Sequence, residues 1–254
     1  MLLSELYEKD TYLNPNILYL FNKFIYEYDM RNAGFNLSRE FKLLPKNKLD
    51  ELDKMKKDYR TIEIGKLQRK DPKFKDQLAQ AFIEARKIFF KENNLSEEDV
   101  ISIKKDAIFT LKSCPINKIG DFIEFRDKHS YTSYIRINKK VEFYYSERVM
   151  DIKGIGEDTL KYHTNYLIYF IHKYFNKMET CEKSVVLEFI RNFIDQYKKR
   201  ELPVGYYRRF ERDSYYDIIG DSNKYYEWWE DKKDEIDISY NYFELLVKLA
   251  KIPL

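Results

Sequence analysis

A change of periodicity constrains this chain more than any other feature. From Asn47 to Asn94 the sequence is charged, poor in glycine and spaced as helix, whereas on both sides of that stretch it alternates as a strand does. Before it, residues 23–29 read as a strand that runs directly into a helix from Asn32 to Phe41. Within it the spacing predicts helices over 47–57, 58–70 and 73–92. The break falls at Asp71-Pro72, and the last helix carries Phe74, Leu78, Ala81, Phe82, Ala85, Ile88 and Phe89 on one face. After it, Ile101-Ser102-Ile103 and residues 107–111 flank Lys104-Lys105-Asp106. Phe122 to Phe125, Tyr131 to Ile137 and Val141 to Tyr145 follow, and all are expected to join one antiparallel sheet with hairpins. Beyond Gly154-Ile155-Gly156 the pattern is helical again, over 157–178, 182–199 and near 240–251. The order is sheet, helical insertion, sheet, helical tail, an α+β arrangement.

Composition sets the outer limits. With 254 residues the chain can bury a full core, and 35% charged and 17% aromatic residues with seven Gly and six Pro describe a folded, loop-poor protein. The net charge of +3 is too small to demand a polyanionic partner, although a balanced total can conceal a basic groove. The first ten residues lack a basic stretch followed by a long apolar one, and the run Tyr166 to Ile171 is far short of the ~20 residues of a membrane span. A soluble cytoplasmic protein with no membrane partner is expected. Cys114 and Cys181 read as free thiols, and His129, His163 and His172 make no ligand pattern.

Two isolated aspartates each close a strand-like run: Asp29 after Phe24 to Tyr28, and Asp106 after Val100 to Lys105. Each alone suits a turn or a helix cap. Together, on adjacent strands, two carboxylates are what a two-metal phosphoryl-transfer site requires, because the ions sit about 3.5–4 Å apart and share oxygen ligands.

The order of these features resembles the palm, fingers and thumb of family B DNA polymerases, from their first catalytic motif onward. That motif is an Asp closing a strand, then a Ser, an aromatic and a Pro, then a helix. Tyr28 to Glu40 keeps the Asp, the helix and its Arg39-Glu40, with Asn32 for the Ser, Gly34 for the aromatic and Phe35 for the Pro. The family's third motif is Asp-Thr-Asp-Ser in a hairpin. Asp106 matches its second Asp, while Lys104 stands for the first and Ala107 for the Ser. The resemblance covers about residues 20–215, and no exonuclease domain is expected with it. It implies palm segments at 1–46 and 96–155, helical fingers at 47–95, and a thumb with the C-terminal region at 156–254.

The same resemblance implies the site residues. Asp29 and Asp106 would be the catalytic metal ligands for Mg²⁺ or Mn²⁺. Arg60, Lys66, Lys70 and Lys87 would hold the nucleoside triphosphate, although the Asn-Ser-x-Tyr-Gly that follows the family's lysine is replaced by Lys91 to Asn94. Gly34 and Phe35 would border the sugar. Lys128 and Tyr131 stand where members contact the primer end, and Lys198, Lys199, Arg200, Arg208 and Arg209, interleaved with tyrosines, form a strip suited to a sugar-phosphate backbone. The implied activity is nucleotidyl transfer onto a primer 3′-hydroxyl on a primer-template. A second subunit supplying proofreading or processivity is an expected partner, and the stretch Tyr225 to Asp231 has the aromatic and acidic content for a protein contact. Two other readings stand beside it: a degenerate palm kept as a nucleic-acid-binding or assembly subunit, favoured by Lys104, and a nuclease using Asp121 with Glu124, Asp127 and Lys128.

Overall fold

The computed structural model describes residues 6–137, 141–154, 169–199 and 201–202. Its elements are strands β1 (Thr11–Leu13), β2 (Tyr19–Leu20) and β3 (Ile25–Met30), helices α1 (Ala33–Glu40), α2 (Lys46–Asp53), α3 (Lys57–Lys70) and α4 (Pro72–Glu92), and strands β4 (Val100–Lys104) and β5 (Ala107–Thr110). Then come β6 (Lys118–Ile119), β7 (Ile123–Tyr131), β8 (Ser133–Arg136), β9 (Glu142–Tyr145) and β10 (Met150–Lys153), with helices α5 (Tyr169–Thr180) and α6 (Lys183–Lys198). The protein is α+β with antiparallel strand pairs. Two compact units divide it: residues 1–17 with 24–130, and residues 18–23 with 131–254.

In the first unit a six-stranded sheet runs β1-β4-β5-β3-β7-β6, which places β3 inside it, hydrogen-bonded on both edges. Alternation along β3 sends Tyr28 and Met30 to one face, both buried. Tyr28 meets Phe89 of α4 at 5.5 Å between ring centroids, and Phe89 stacks on Phe125 of β7 at 4.3 Å. Helix α4 starts where Asp71 accepts a hydrogen bond from the Phe74 amide with Pro72 in the first turn, so cap and proline fix the break at the expected place. Its buried face, Phe74, Leu78, Ala81, Phe82, Ala85 and Phe89, is the helix-period stripe of the sequence.

In the second unit β10, β9, β8 and β2 form a separate four-stranded sheet. Its core joins Ile135, Phe143 and Tyr145 to Phe170, Tyr174 and Phe175 of α5 and to Val186, Ile190 and Phe193 of α6. The single sheet expected across 101–145 is thus two, and residues 96–155 fall in both units. A bend at Thr132 separates β7 from β8, and β8 then pairs with β9. Alternation reports which face a residue takes, not which strand lies beside it. Strands β1, β2 and β6 escaped the reading because they are only two or three residues long, and β10, as long as β8 and β9, was missed as well. The expected start of the helix at 157 and the helix near 240–251 lie outside the described residues. Among the described residues, no helix is long and apolar enough to cross a membrane, and both cysteines are free.

Candidate active site

Asp29 is the penultimate residue of β3, on the face opposite Tyr28. In the register of β3 on β5 it pairs with Ala107, and the Met30 amide donates to the Asp106 carbonyl at 2.9 Å. Asp106 is the second residue of a two-residue loop, since Lys104 pairs with Ala107 across β4 and β5. The two aspartates therefore stand at adjoining strand ends. The first loop residue, Lys105, has a φ of 54°, the left-handed value that such short hairpin loops require at that place.

The charges around the pair are uneven. Burial holds the Asp106 carboxyl above the ordinary carboxylate range, and the negative charge of Asp29 pushes it further the same way. Asp29 has a cation beside it: Arg126 of β7 places Nη2 3.5 Å from Asp29 Oδ2. Two residues away on each strand, Lys128 Nζ lies 3.2 Å from the carboxylate of Glu27, which is itself buried. Two ion pairs thus cross from β3 to β7 in sequence.

A cavity of about 730 Å³ opens over the aspartates. Its floor is Asp29, Lys105, Asp106 and Arg126, and one side is the start of α1, Asn32 to Phe35. The lining also takes one face of α3: Lys57, Arg60, Thr61, Ile64, Gly65 and Gln68, spaced by three and four. Only Ile64 of that helix is buried, so a polar, cationic helix face looks into the cavity. Arg60 is held in place. Its guanidinium lies over the Phe35 ring at 4.5 Å from the centroid, reaches Asp53 at 3.5 Å and donates to the Met55 carbonyl at 3.4 Å, while its buried Nε has no protein partner.

The structure distributes the residues named from the sequence unequally. Arg60, Gly34 and Phe35 line the cavity with the two aspartates. Lys66, Lys70 and Lys87 do not. On α3, Lys66 falls on the side away from Ile64 and pairs with Glu63 at 2.6 Å, and Lys87 lies one residue beyond the buried face of α4 and pairs with Glu84 at 3.3 Å. Gly34 has a packing reason, for a Cβ there would meet Ile64 Cγ2 at 3.1 Å, so the glycine lets α1 approach α3. Phe35 is buried beneath Arg60 and Arg39. Lys128 is engaged by Glu27, and Tyr131 is wholly buried in the second unit, its hydroxyl donating to Asp151 at 2.6 Å. Lys198 ends α6, and Lys199 pairs with Asp195 at 2.7 Å. Arg200, Arg208 and Arg209, and the stretch Tyr225 to Asp231, lie outside the described residues. Of the nuclease set, Glu124 faces Arg31 at 3.5 Å.

Lys57, Thr61, Gln68, Lys105 and Arg126 were not singled out. Spacing could have found the three on α3, because they share a face with Arg60; nothing local marks Arg126, which reaches Asp29 across strands distant in sequence. Arg86, beside Lys87 on α4 and not singled out either, is fully buried.

The chain belongs to the bacteriophage PBS1 gene 130 protein family, whose family model matches residues 1–254. Among curated proteins, none matches the sequence.

Proposed function

We propose that the protein is a nucleotidyltransferase of the polymerase type, transferring a nucleotide from a nucleoside triphosphate to a primer 3′-hydroxyl. The observation that carries the reading is that one cavity is lined both by the paired carboxylates Asp29 and Asp106 and by the cationic face of α3 with Lys57 and Arg60. A triphosphate needs both: oxygen ligands for hard divalent cations at the reacting phosphorus, and fixed cations along the rest of its charge. The volume fits a nucleotide-sized ligand, within the range of small-molecule sites.

Asp29 and Asp106 suit Mg²⁺ or Mn²⁺. Both offer oxygen donors; burial above all raises the Asp106 carboxyl, and the negative charge of Asp29, which adds to that rise, is one a divalent cation would offset. Asp29 and Asp106 would hold such a metal, and the chemistry it would supply is activation of the primer hydroxyl and neutralisation of charge on the departing pyrophosphate. The side chains do the rest. Arg60, seated on Phe35, presents its guanidinium to the phosphates, and Lys57 adds charge one turn earlier. Arg126, 3.5 Å from Asp29, limits the swing of that carboxylate.

That same arginine favours a second reading, a degenerate site in an assembly or nucleic-acid-binding subunit. A protein cation already accompanies Asp29, and lysine stands at position 104. A labelled-primer extension assay with dNTPs and with NTPs, in Mg²⁺ and in Mn²⁺, separates the two. Extension that requires the metal and both aspartates supports the enzyme. Primer-template binding without extension under every condition supports the subunit.

A further inference from the structure

Arg86 is the most buried cation of the first unit, and its three hydrogen bonds all lead to one place. It has no solvent exposure, whereas Asp10, its carboxylate partner, is 66% exposed. Its Nε donates to the Tyr7 carbonyl at 2.8 Å, its Nη1 to the Lys105 carbonyl at 2.9 Å and its Nη2 to Asp10 Oδ1 at 3.2 Å. The Lys105 amide in turn donates to the Asp10 carbonyl at 2.7 Å. Lys105 is thereby tied at both its amide and its carbonyl, and it is the residue at φ 54°, a conformation a lysine seldom holds unaided. The next residue is Asp106.

Taking an arginine out of water is costly, and burial lowers its proton affinity. An apolar residue could fill the same helix position in α4. What an apolar side chain could not do is bond the carbonyl of the hairpin loop and the segment before β1 together. The Asp106 carbonyl is fixed from the other side by the Met30 amide of β3. The loop that aims the carboxylate is therefore pinned on two sides, by Arg86 and by the strand that carries Asp29.

From this geometry we infer that Arg86 is a positioning residue for metal binding: it holds the Lys105-Asp106 loop in the conformation that presents the Asp106 carboxylate beside Asp29. The inference rests on the proposed function for its role in turnover but not for its role in binding the metal.

The test is Mn²⁺ binding to the full-length protein, followed by electron paramagnetic resonance of the free ion, with primer extension in parallel. Arg86→Lys keeps the charge but not the fork. Its Mn²⁺ affinity is expected to fall about tenfold, the lower end of what outer partners of metal ligands give. Adding Lys105→Gly should recover most of that loss, since glycine holds a positive φ without the pin. Leu78→Ala, a core variant of α4 away from the loop, controls for stability and should leave Mn²⁺ affinity unchanged.

Asp10→Ala removes one acceptor at an exposed position and should lower affinity about two- to threefold, whereas Asp10→Asn keeps Oδ1 and should not. Those two decide the matter if Arg86→Lys does not fold. Wild-type affinity in both Arg86→Lys and Asp10→Ala overturns the inference. So does an equal fall in Asp10→Asn, which would make the effect one of charge, or an equal fall in Leu78→Ala, which would make it one of stability. If the wild-type protein binds Mn²⁺ through Asp29 and Asp106 yet extends no primer, the polymerase reading fails and Arg86 is judged on binding alone.

Discussion

The two units hold their carboxylates differently. In the first, Asp29 and Asp106 sit at strand ends beside a cavity, with cations nearby and a neighbouring negative charge. In the second, Glu142, the first residue of β9, is fully buried and receives the hydroxyls of Tyr134 at 3.1 Å and Tyr144 at 2.9 Å. Glu179 at the end of α5 likewise accepts from Thr132 and Ser133. The tyrosines respond: burial above all, then the charge of Glu142, raises the Tyr134 hydroxyl far above its usual range, so it remains a donor. A carboxylate that accepts two protein hydroxyls is a structural tie. One at a strand end, facing another carboxylate and a cavity, is available to a ligand.

The largest effect that could break this contrast is on turnover. If the protein is the polymerase proposed above, Asp29→Ala and Asp106→Ala should each lower primer extension by about 10³-fold or more and leave primer-template affinity nearly unchanged. Loss of binding and of folding together would assign the pair to the same structural class as Glu142. The complementary change is Glu142→Ala, which strands two buried hydroxyls and should destabilise the protein by about 1–3 kcal/mol per group in thermal or denaturant unfolding, with Mn²⁺ binding intact. A Glu142→Ala protein of normal stability that cannot extend a primer would erase the distinction.

A subtler effect is on pH dependence. Because the folded-state carboxyl of Asp106 titrates above its ordinary value of 3.8, the folded protein binds that proton more tightly than the unfolded chain. Its stabilising contribution is present below the ordinary value and is lost as pH rises through the raised one. Asp106→Asn should therefore be more stable than the metal-free wild type at neutral pH, and the gap should close in acid. Added Mg²⁺ should stabilise the wild type alone. An Asn variant less stable than wild type at neutral pH would mean that the ionised carboxylate is held by protein donors, as in the second unit. The smallest effect is at Gly34. Gly34→Ala should cost about 1 kcal/mol or less through its 3.1 Å approach to Ile64, and Ile64→Val in the same chain should relieve it. A Gly34→Ala variant with full stability but altered choice between dNTPs and NTPs would return that glycine to the sugar-binding role that the sequence suggests.

Much of the first unit was legible. The stripe of α4, its Asp71-Pro72 start and the two strand-closing aspartates are local patterns, and the register of β3 on β5 brings those strand ends together. The cation wall was only partly so. Helix α3 has a single buried residue, so no apolar stripe shows which of its charges face inward, and Lys66 looks as suitable as Lys57 until the helix is packed. Arg126 and Arg86 act through partners 97 and 76 positions away, which no spacing rule reaches. The division into two sheets was hidden for a similar reason: the bend at Thr132 carries neither glycine nor proline.

That sparse attachment of α3 has a consequence of its own. Where α4 anchors eight buried side chains, α3 anchors Ile64, with Leu67 partly buried beside it. Free energies of local opening follow buried contact, so the amides of α3 should exchange with solvent through small fluctuations while those of α4 wait for the whole unit to unfold. The cation wall of the cavity is thus the part of the unit whose order a bound polyanion can change most, and protection of α3 amides on adding a nucleoside triphosphate would report occupancy even in a protein that never turns over.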